Sequence, residues 1–262
     1  MLGKYLEVLV YPDVPFGDKL GITEDIRNKL KEEHGICIND DLPGVSLEKT
    51  LNEFTVDNRE IIHAKLVQSC RKLCMMWFAS EQALEAEREF YSTTIKDAPA
   101  LFGEDAIKIN YHLESFVLIA RSALDVASGV FGRLLPPPFK NGRYDSFNKL
   151  IKELQNHRSR LSRSDYFDEL RANKKSWLSI ISGHEKGRSL RDKIAHQTEF
   201  PLDYAELHPR SEKKSPIVIL DKETWLVMDL FVDTLRRGVI ECFIKLEKLC
   251  CDNIKALTMV ST

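Results

Sequence analysis

The stretch DAIKINYHLESFVLIARSALDVASGVFGRLLPPP, residues 105–138, decides the fold. Its apolar residues fall on every side of a 3.6-residue period rather than along one stripe. A helix that is apolar nearly all round belongs inside a protein, with other helices packed about it. The prolines at 136–138 stop it, because proline has no N–H to donate and its ring clashes with the preceding turn. Three charges interrupt the apolar surface: Glu114, Arg121 and Asp125. Their offsets of seven and eleven residues place them within about 40° of one another around the helix. Charges on an otherwise buried helix must be paired or must line a wet cleft. Two roles follow: an internal network in which Asp125 holds Arg121, or one wall of a cleft that orients the segment 188–196.

Helical periodicity extends to both sides. DNREIIHAKLVQSCRKLCMMWFASEQALEAEREFYSTTI (57–95) predicts one long helix or two nearly continuous ones. SFNKLIKELQNH predicts a shorter helix, and SDYFDELRANKKSWLSIISG another that ends at Gly183. HEKGRSLRDKIAHQ follows, and KETWLVMDLFVDTLRRGVIECFIKLEKLCCDNIKAL predicts a long closing helix. TEFPLDYAEL and SPIVIL flank the polar tip HPRSEKKS, which predicts a β-hairpin inserted among helices. Before residue 57, YLEVLVYPDVP predicts a short strand. TEDIRNKLKEEHG and SLEKTLNEF predict short helices, the second opened by Ser46 as a cap. The fold class is therefore mostly α: a helical bundle over 57–262 with a small β-hairpin insertion, preceded by a short α+β segment over 1–56. Trp77, Trp177 and Trp225 fall on helical patterns, as core residues do.

Composition narrows the function. With 43% hydrophobic and 30% charged residues the chain is globular rather than disordered. No uninterrupted apolar run reaches the roughly 18 residues of a membrane span, and the N-terminus lacks a signal-peptide layout. A cytoplasmic protein with no membrane partner is expected. The six cysteines form no C-x-x-C pair, and the histidines show no metal-ligand spacing. Buried reduced thiols, no metal and no cofactor are expected. His112 stands out only by its nearness to the charged stripe. Gly-rich phosphate loops, H-E-x-x-H and G-x-S-x-G are missing. The net charge of −2 is unevenly spread: residues 1–110 carry 13 Lys and Arg against 20 Asp and Glu, whereas residues 140–193 carry 14 against 7. The basic part includes NHRSRLSRSD, where Arg158, Arg160 and Arg163 sit in one polar segment. Arginine forks grip phosphates bidentately, so this segment is either a solvated loop or a phosphate-contacting surface.

GRSLRDKIAHQ, residues 187–197, carries the densest chemistry. Arg188, Asp192 and His196 are spaced i, i+4, i+8 and share one helix face. A carboxylate beside an imidazole sets its tautomer and raises its pKa. Arg191 and His196 lie about 140° apart on an ideal helix, so they meet one phosphate only if the helix end unwinds or a second chain completes the site. A charged helix end with no chemical role has the same spacing.

The run Arg191-Asp192-Lys193-Ile194-Ala195-His196, late in an all-α chain, resembles the signature of HEPN-domain proteins. The setting is similar too: a long central helix, a shorter helix ending in the motif, and a closing helix. The resemblance covers roughly residues 57–257, with specificity in the six-residue motif. It implies a metal-independent ribonuclease acting as a homodimer on RNA, in phage defence or a toxin–antitoxin pair, with an antitoxin or regulatory protein as a further partner. Carried over, Arg191 and His196 are the catalytic pair and Asp192 supports them. Arg188, Lys193, Arg158, Arg160 and Arg163 would contact substrate, with Glu114, Arg121 and Asp125 supporting from the central helix. Members silenced by a partner nucleotidyltransferase often carry a tyrosine two residues after the histidine. Here Thr198 stands there, so that control is not implied. The competing functions are a non-cleaving RNA- or nucleotide-binding module of the same fold, and a helical interaction scaffold.

Overall fold

A computed structural model describes residues 43–54, 56, 58–94, 104–134, 146–156, 165–183, 189–196, 200–204 and 215–260. The strand and first helix expected before residue 42, and Cys37, lie outside them. The described chain is mostly helical with one small antiparallel sheet. Eight helices occur among these residues: α1 (Val45–Glu53), α2 (Arg59–Thr94), α3 (Glu104–Leu134), α4 (Phe147–Asn156), α5 (Asp165–Ala172), α6 (Trp177–Ser182), α7 (Leu190–His196) and α8 (Met228–Val260). Strands β1 (Leu202–Asp203), β2 (Ile217–Ile219) and β3 (Trp225–Val227) lie between α7 and α8.

The chain divides into two compact units. The first comprises Met1–Met75, Ser122–Leu161 and Val239–Thr262; the second comprises Met76–Arg121 and Ser162–Gly238. The helices α2, α3 and α8 each give one part to each unit. The stretch Ala106–Leu134 within α3 is long and apolar enough by hydropathy to cross a bilayer, which counting uninterrupted runs does not register; 67% of its most apolar window is buried inside the protein. Among its fully enclosed residues are Leu113, Phe116, Ala120, Leu124 and Phe131, as expected for a central helix.

In the first unit, α4 shows why its sequence is a helix that must dock. Phe147, Leu150, Ile151 and Leu154 recur at i, i+3, i+4 and i+7, and all four are buried. Asp125 of α3 accepts a hydrogen bond from the Phe147 N–H at 2.8 Å, satisfying one of the donors that the first turn of α4 leaves open. Phe131 and Phe243 meet edge to face at 5.0 Å. The start of α1 corrects the expectation for Ser46. The cap position is Gly44, at φ 90°, a left-handed conformation that favours glycine, and no side chain of that residue caps the helix. Instead Glu247 of α8, 3% exposed, accepts the N–H groups of Gly44 and Leu47 at 2.8 Å each. An anion at a helix N-terminus is favoured by the unpaired amides and by the helix dipole. Cys70, Cys74, Cys242, Cys250 and Cys251 are free and buried, and burial pushes their thiols upward, Cys74 to about 12. Thiols held protonated are poor nucleophiles.

The second unit departs from expectation at three places. The segment 165–183 is not one helix but α5 and α6. Ser176 is extended, at φ −70° and ψ 153°; its hydroxyl accepts the Ser179 N–H at 3.2 Å and donates to the Leu170 carbonyl. These bonds cap a new helix more favourably than they would sit inside a continuous one. Gly183 does end it, at φ 75°. The closing helix starts at Met228 rather than near Lys222, because Trp225–Val227 pairs with β2 as a third strand, and the Met228 N–H donates to the Pro216 carbonyl at 2.9 Å. The hairpin of β1 and β2 is present, with Leu202 opposite Val218 and Asp203 opposite Ile217. Trp225 is consequently not core: it sits on β3 and is 48% exposed. Trp77 is half-buried on α2, with the Arg236 guanidinium 3.9 Å from its ring centre. Trp177 is 3% exposed and packs directly on the α8 backbone at Gly238.

Candidate functional site

Helix α7 is only seven residues long, too short to be stable by its own hydrogen bonds. Two buried residues at i, i+4, Leu190 and Ile194, fasten it to the second unit. Its start is capped: Ser189, 3% exposed, accepts the Asp192 N–H through its hydroxyl at 3.0 Å, and its carbonyl accepts the Lys193 N–H at 3.1 Å. The spacing Ser189-x-x-Asp192 is an N-terminal signature legible in the sequence, though overshadowed by the charges beside it.

Arg191 and Asp192 are brought together. Arg191 Nη1 lies 3.0 Å from Asp192 Oδ1, with the side chains 42% and 44% exposed. Burial disfavours the Asp192 carboxylate, but hydrogen bonds from Ser189 and Arg191, with the positive charges of Arg191 and Arg121, outweigh it and hold its pKa below the ordinary 3.8. Arg121 comes from α3, is 9% exposed, and donates to the Ser182 hydroxyl at the end of α6 at 3.0 Å. Arg121 of the central helix thus meets the end of α6 and acts by its charge on Asp192 of α7. Glu114 lies on the same helix in the same unit. Burial raises its pKa, partly offset by a backbone hydrogen bond from Phe200. Asp125 belongs to the first unit, where it caps α4. Of the stripe, Arg121 donates to Ser182 and Asp125 accepts from the Phe147 N–H.

Lys193 does not point freely at solvent: its ammonium donates to the Leu220 carbonyl at 2.5 Å, tying α7 to the β2–β3 turn. His196 is the last residue of α7, so the helix does not unwind before it. Position 196 is about 40° from position 192 and about 140° from position 191 around the helix. The His196 side chain, and Arg188, Arg158, Arg160 and Arg163, lie outside the described residues. His112 is half-buried, its ring edge-on to Tyr111 at 5.2 Å, and burial lowers its pKa. Ser182 and the Leu220 carbonyl are parts of this neighbourhood that sequence reasoning missed. One acts through an arginine distant in sequence and the other through the backbone, which spacing does not reveal; Ser189, by contrast, has a legible cap spacing.

An exposed guanidinium can hold a phosphate, an ionised carboxylate beside it fixes its position, and a histidine position one turn further along the helix can supply a proton carrier. Among the described residues no three His, Cys, Asp or Glu side chains converge as a metal site would need. Comparisons of the chain with family models, with curated proteins and with solved structures returned no match.

Proposed function

We propose that the protein is a metal-independent endoribonuclease of HEPN type, acting as a homodimer. The observation that carries this is the half-exposed Arg191–Asp192 pair at the start of a helix that ends at His196. Ribose supplies its own nucleophile: the 2′-OH attacks the adjacent phosphorus and the P–O5′ bond breaks. His196 moves the proton, and Arg191 stabilises the charge gathering on the phosphorane-like transition state. The products are a 2′,3′-cyclic phosphate and a 5′-OH end. Because positions 191 and 196 lie about 140° apart on an intact helix, one copy presents them to different sides, and a second copy completes the site. A cytoplasmic role in phage defence or a toxin–antitoxin pair belongs to the same proposal.

The test is cleavage of a mixed RNA substrate in EDTA, with end-group analysis. Cyclic phosphate ends should form without divalent ions and vanish in both Arg191→Ala and His196→Ala. Activity that requires a metal, or that survives in both variants, refutes the proposal. The pairing of Arg191 with Asp192 also suits a non-cleaving RNA-binding module, since part of the arginine charge is already compensated. Salt-steep binding without products would select that alternative.

A further inference from the structure

The β2–β3 turn carries an exposed aromatic surface that the proposed chemistry does not use. Ile219 and Trp225 face each other across the two strands and are 38% and 48% exposed. Directly opposed residues project from the same face of a sheet. Val218 and Leu226, the neighbouring pair, turn inward and are buried. An indole left half in water would be better covered, and its surroundings indicate by what. The Lys175 ammonium sits 5.4 Å from the Trp225 ring centre. The adjacent Lys174 is 3.4 Å from Asp221, whose carboxylate is pulled down to about 2 by a backbone hydrogen bond from Glu223, by Thr224 and by Lys174 itself. Asp221 therefore offsets Lys174, while Lys175 is held at the ring.

The turn is also fastened to α7. Lys193 donates to the Leu220 carbonyl, and the Leu220 N–H donates in turn to the Thr224 carbonyl at 2.9 Å, one residue before Trp225. A half-exposed π surface with a mobile ammonium over one face, pinned to the helix that bears Arg191, matches one chemistry well. A base stacks on an indole whatever its identity, and the ammonium meets the attached phosphate.

We propose that Trp225 is a stacking platform for one unpaired base of single-stranded RNA, with Lys175 contacting the adjoining phosphate. It rests on the assignment of RNA as the substrate and adds where a nucleotide beside the scissile one is held. Recognition by stacking tolerates any sequence but requires the base to be free of a duplex.

The probe is a 2′-O-methyl oligonucleotide, which binds as RNA does but cannot be cut through its 2′-OH. Binding to the full chain is measured by anisotropy, alongside intrinsic fluorescence. Trp225→Ala should weaken single-strand binding about tenfold, and Trp225→Phe, which keeps a π face, should stay within about threefold of wild type. Binding should quench the fluorescence of wild type, and Trp225→Phe should lose most of that quenching. Lys175→Ala should weaken binding and flatten its salt dependence. Equal binding by wild type and Trp225→Ala overturns the proposal. So does a change of Trp225→Ala from dimer to monomer by light scattering, which would make the patch a contact between copies. Cleavage by wild type with normal binding by Trp225→Ala sinks this inference alone. Weakened binding by Trp225→Ala in a protein that cleaves nothing sinks only the nuclease assignment. Failure of wild type to bind the probe overturns both.

Discussion

Gly238→Ala tests whether the packing that holds the candidate site is as tight as it looks. A Cβ at position 238 would fall 2.0 Å from Trp177 Cδ1, 2.1 Å from Cγ and 2.6 Å from Cβ. Carbon atoms settle at about 3.5–4.0 Å, so the gap must open by about 1.5 Å. These atoms are the stem of the indole, not a flexible tip, and the Trp177 Cβ moves only if the α6 backbone moves. In a helix alanine gains about 0.5–1 kcal/mol over glycine. Overpacking a filled core costs about 1–3 kcal/mol and occasionally more. A displacement of this size belongs at the upper end, so a net loss of about 2 kcal/mol is expected. The shift should travel, because α6 ends at Ser182, the hydroxyl that receives Arg121. Urea denaturation gives the stability. A double-mutant cycle with Trp177→Ala isolates the clash, since it removes Cγ and Cδ1, the two atoms nearest the added methyl, and should remove most of the penalty of Gly238→Ala. A Gly238→Ala protein as stable as wild type, or additivity in the cycle, would refute the close packing of α6 on α8.

Two further outcomes follow from the charges. Glu247→Gln keeps the shape but leaves an amide NH2 facing one of the two α1 donors. It should cost about 2 kcal/mol and speed hydrogen exchange at the Gly44 and Leu47 amides, and unchanged exchange there would contradict a capping role. Asp192 has a folded pKa below its ordinary 3.8, so its stabilisation is complete above the unfolded value and is lost as pH falls through the folded one. The Tm gap between wild type and Asp192→Asn should therefore be present at neutral pH and close under strong acid. Because the carboxylate is half exposed the gap should be small, and one that persists unchanged in acid would show that charge is not its source.

The sequence makes the long helices legible because burial repeats along them. Phe147, Leu150, Ile151 and Leu154 state their shared face by spacing alone, and α3 states its central place by having no polar face. Much of what escapes is set from far away. The break in RANKKSW is instead local: the Asn173 side chain accepts the Lys175 N–H and Ser176 caps the new helix. These signals are masked by the helical period on either side, and only the fit of Trp177 against Gly238 is distant. Three residues of β3 cannot be told from the start of an amphipathic helix, since both begin with large apolar side chains. Glu247 reads as one more charge on α8, because its partners are backbone amides about 200 residues earlier in the chain. At the candidate site, Arg191 and Asp192 are legible as neighbours, but Ser182 is not, because a serine acquires its meaning only from the arginine it receives.

The Arg191–Asp192 pair has a feature that helix geometry alone does not favour. Adjacent residues on a helix do not face each other, and ion pairs normally form at i, i+3 or i, i+4. Here the pair closes to 3.0 Å at the first turn, where Asp192 is already held by Ser189 and lies within the field of Arg121. The carboxylate is fixed first, and the long arginine side chain folds back to it. Arg121 is nearly buried, and a buried guanidinium is tolerable only with compensation; Ser182 supplies one hydrogen bond, and the ionised Asp192 supplies opposite charge. A seven-residue helix anchored by Leu190 and Ile194 alone would otherwise fray. Asp192 thus couples the central helix to α7 and sets where Arg191 can reach. In the proposed cleavage it is a positioning residue, needed for the direction of the guanidinium rather than for proton transfer.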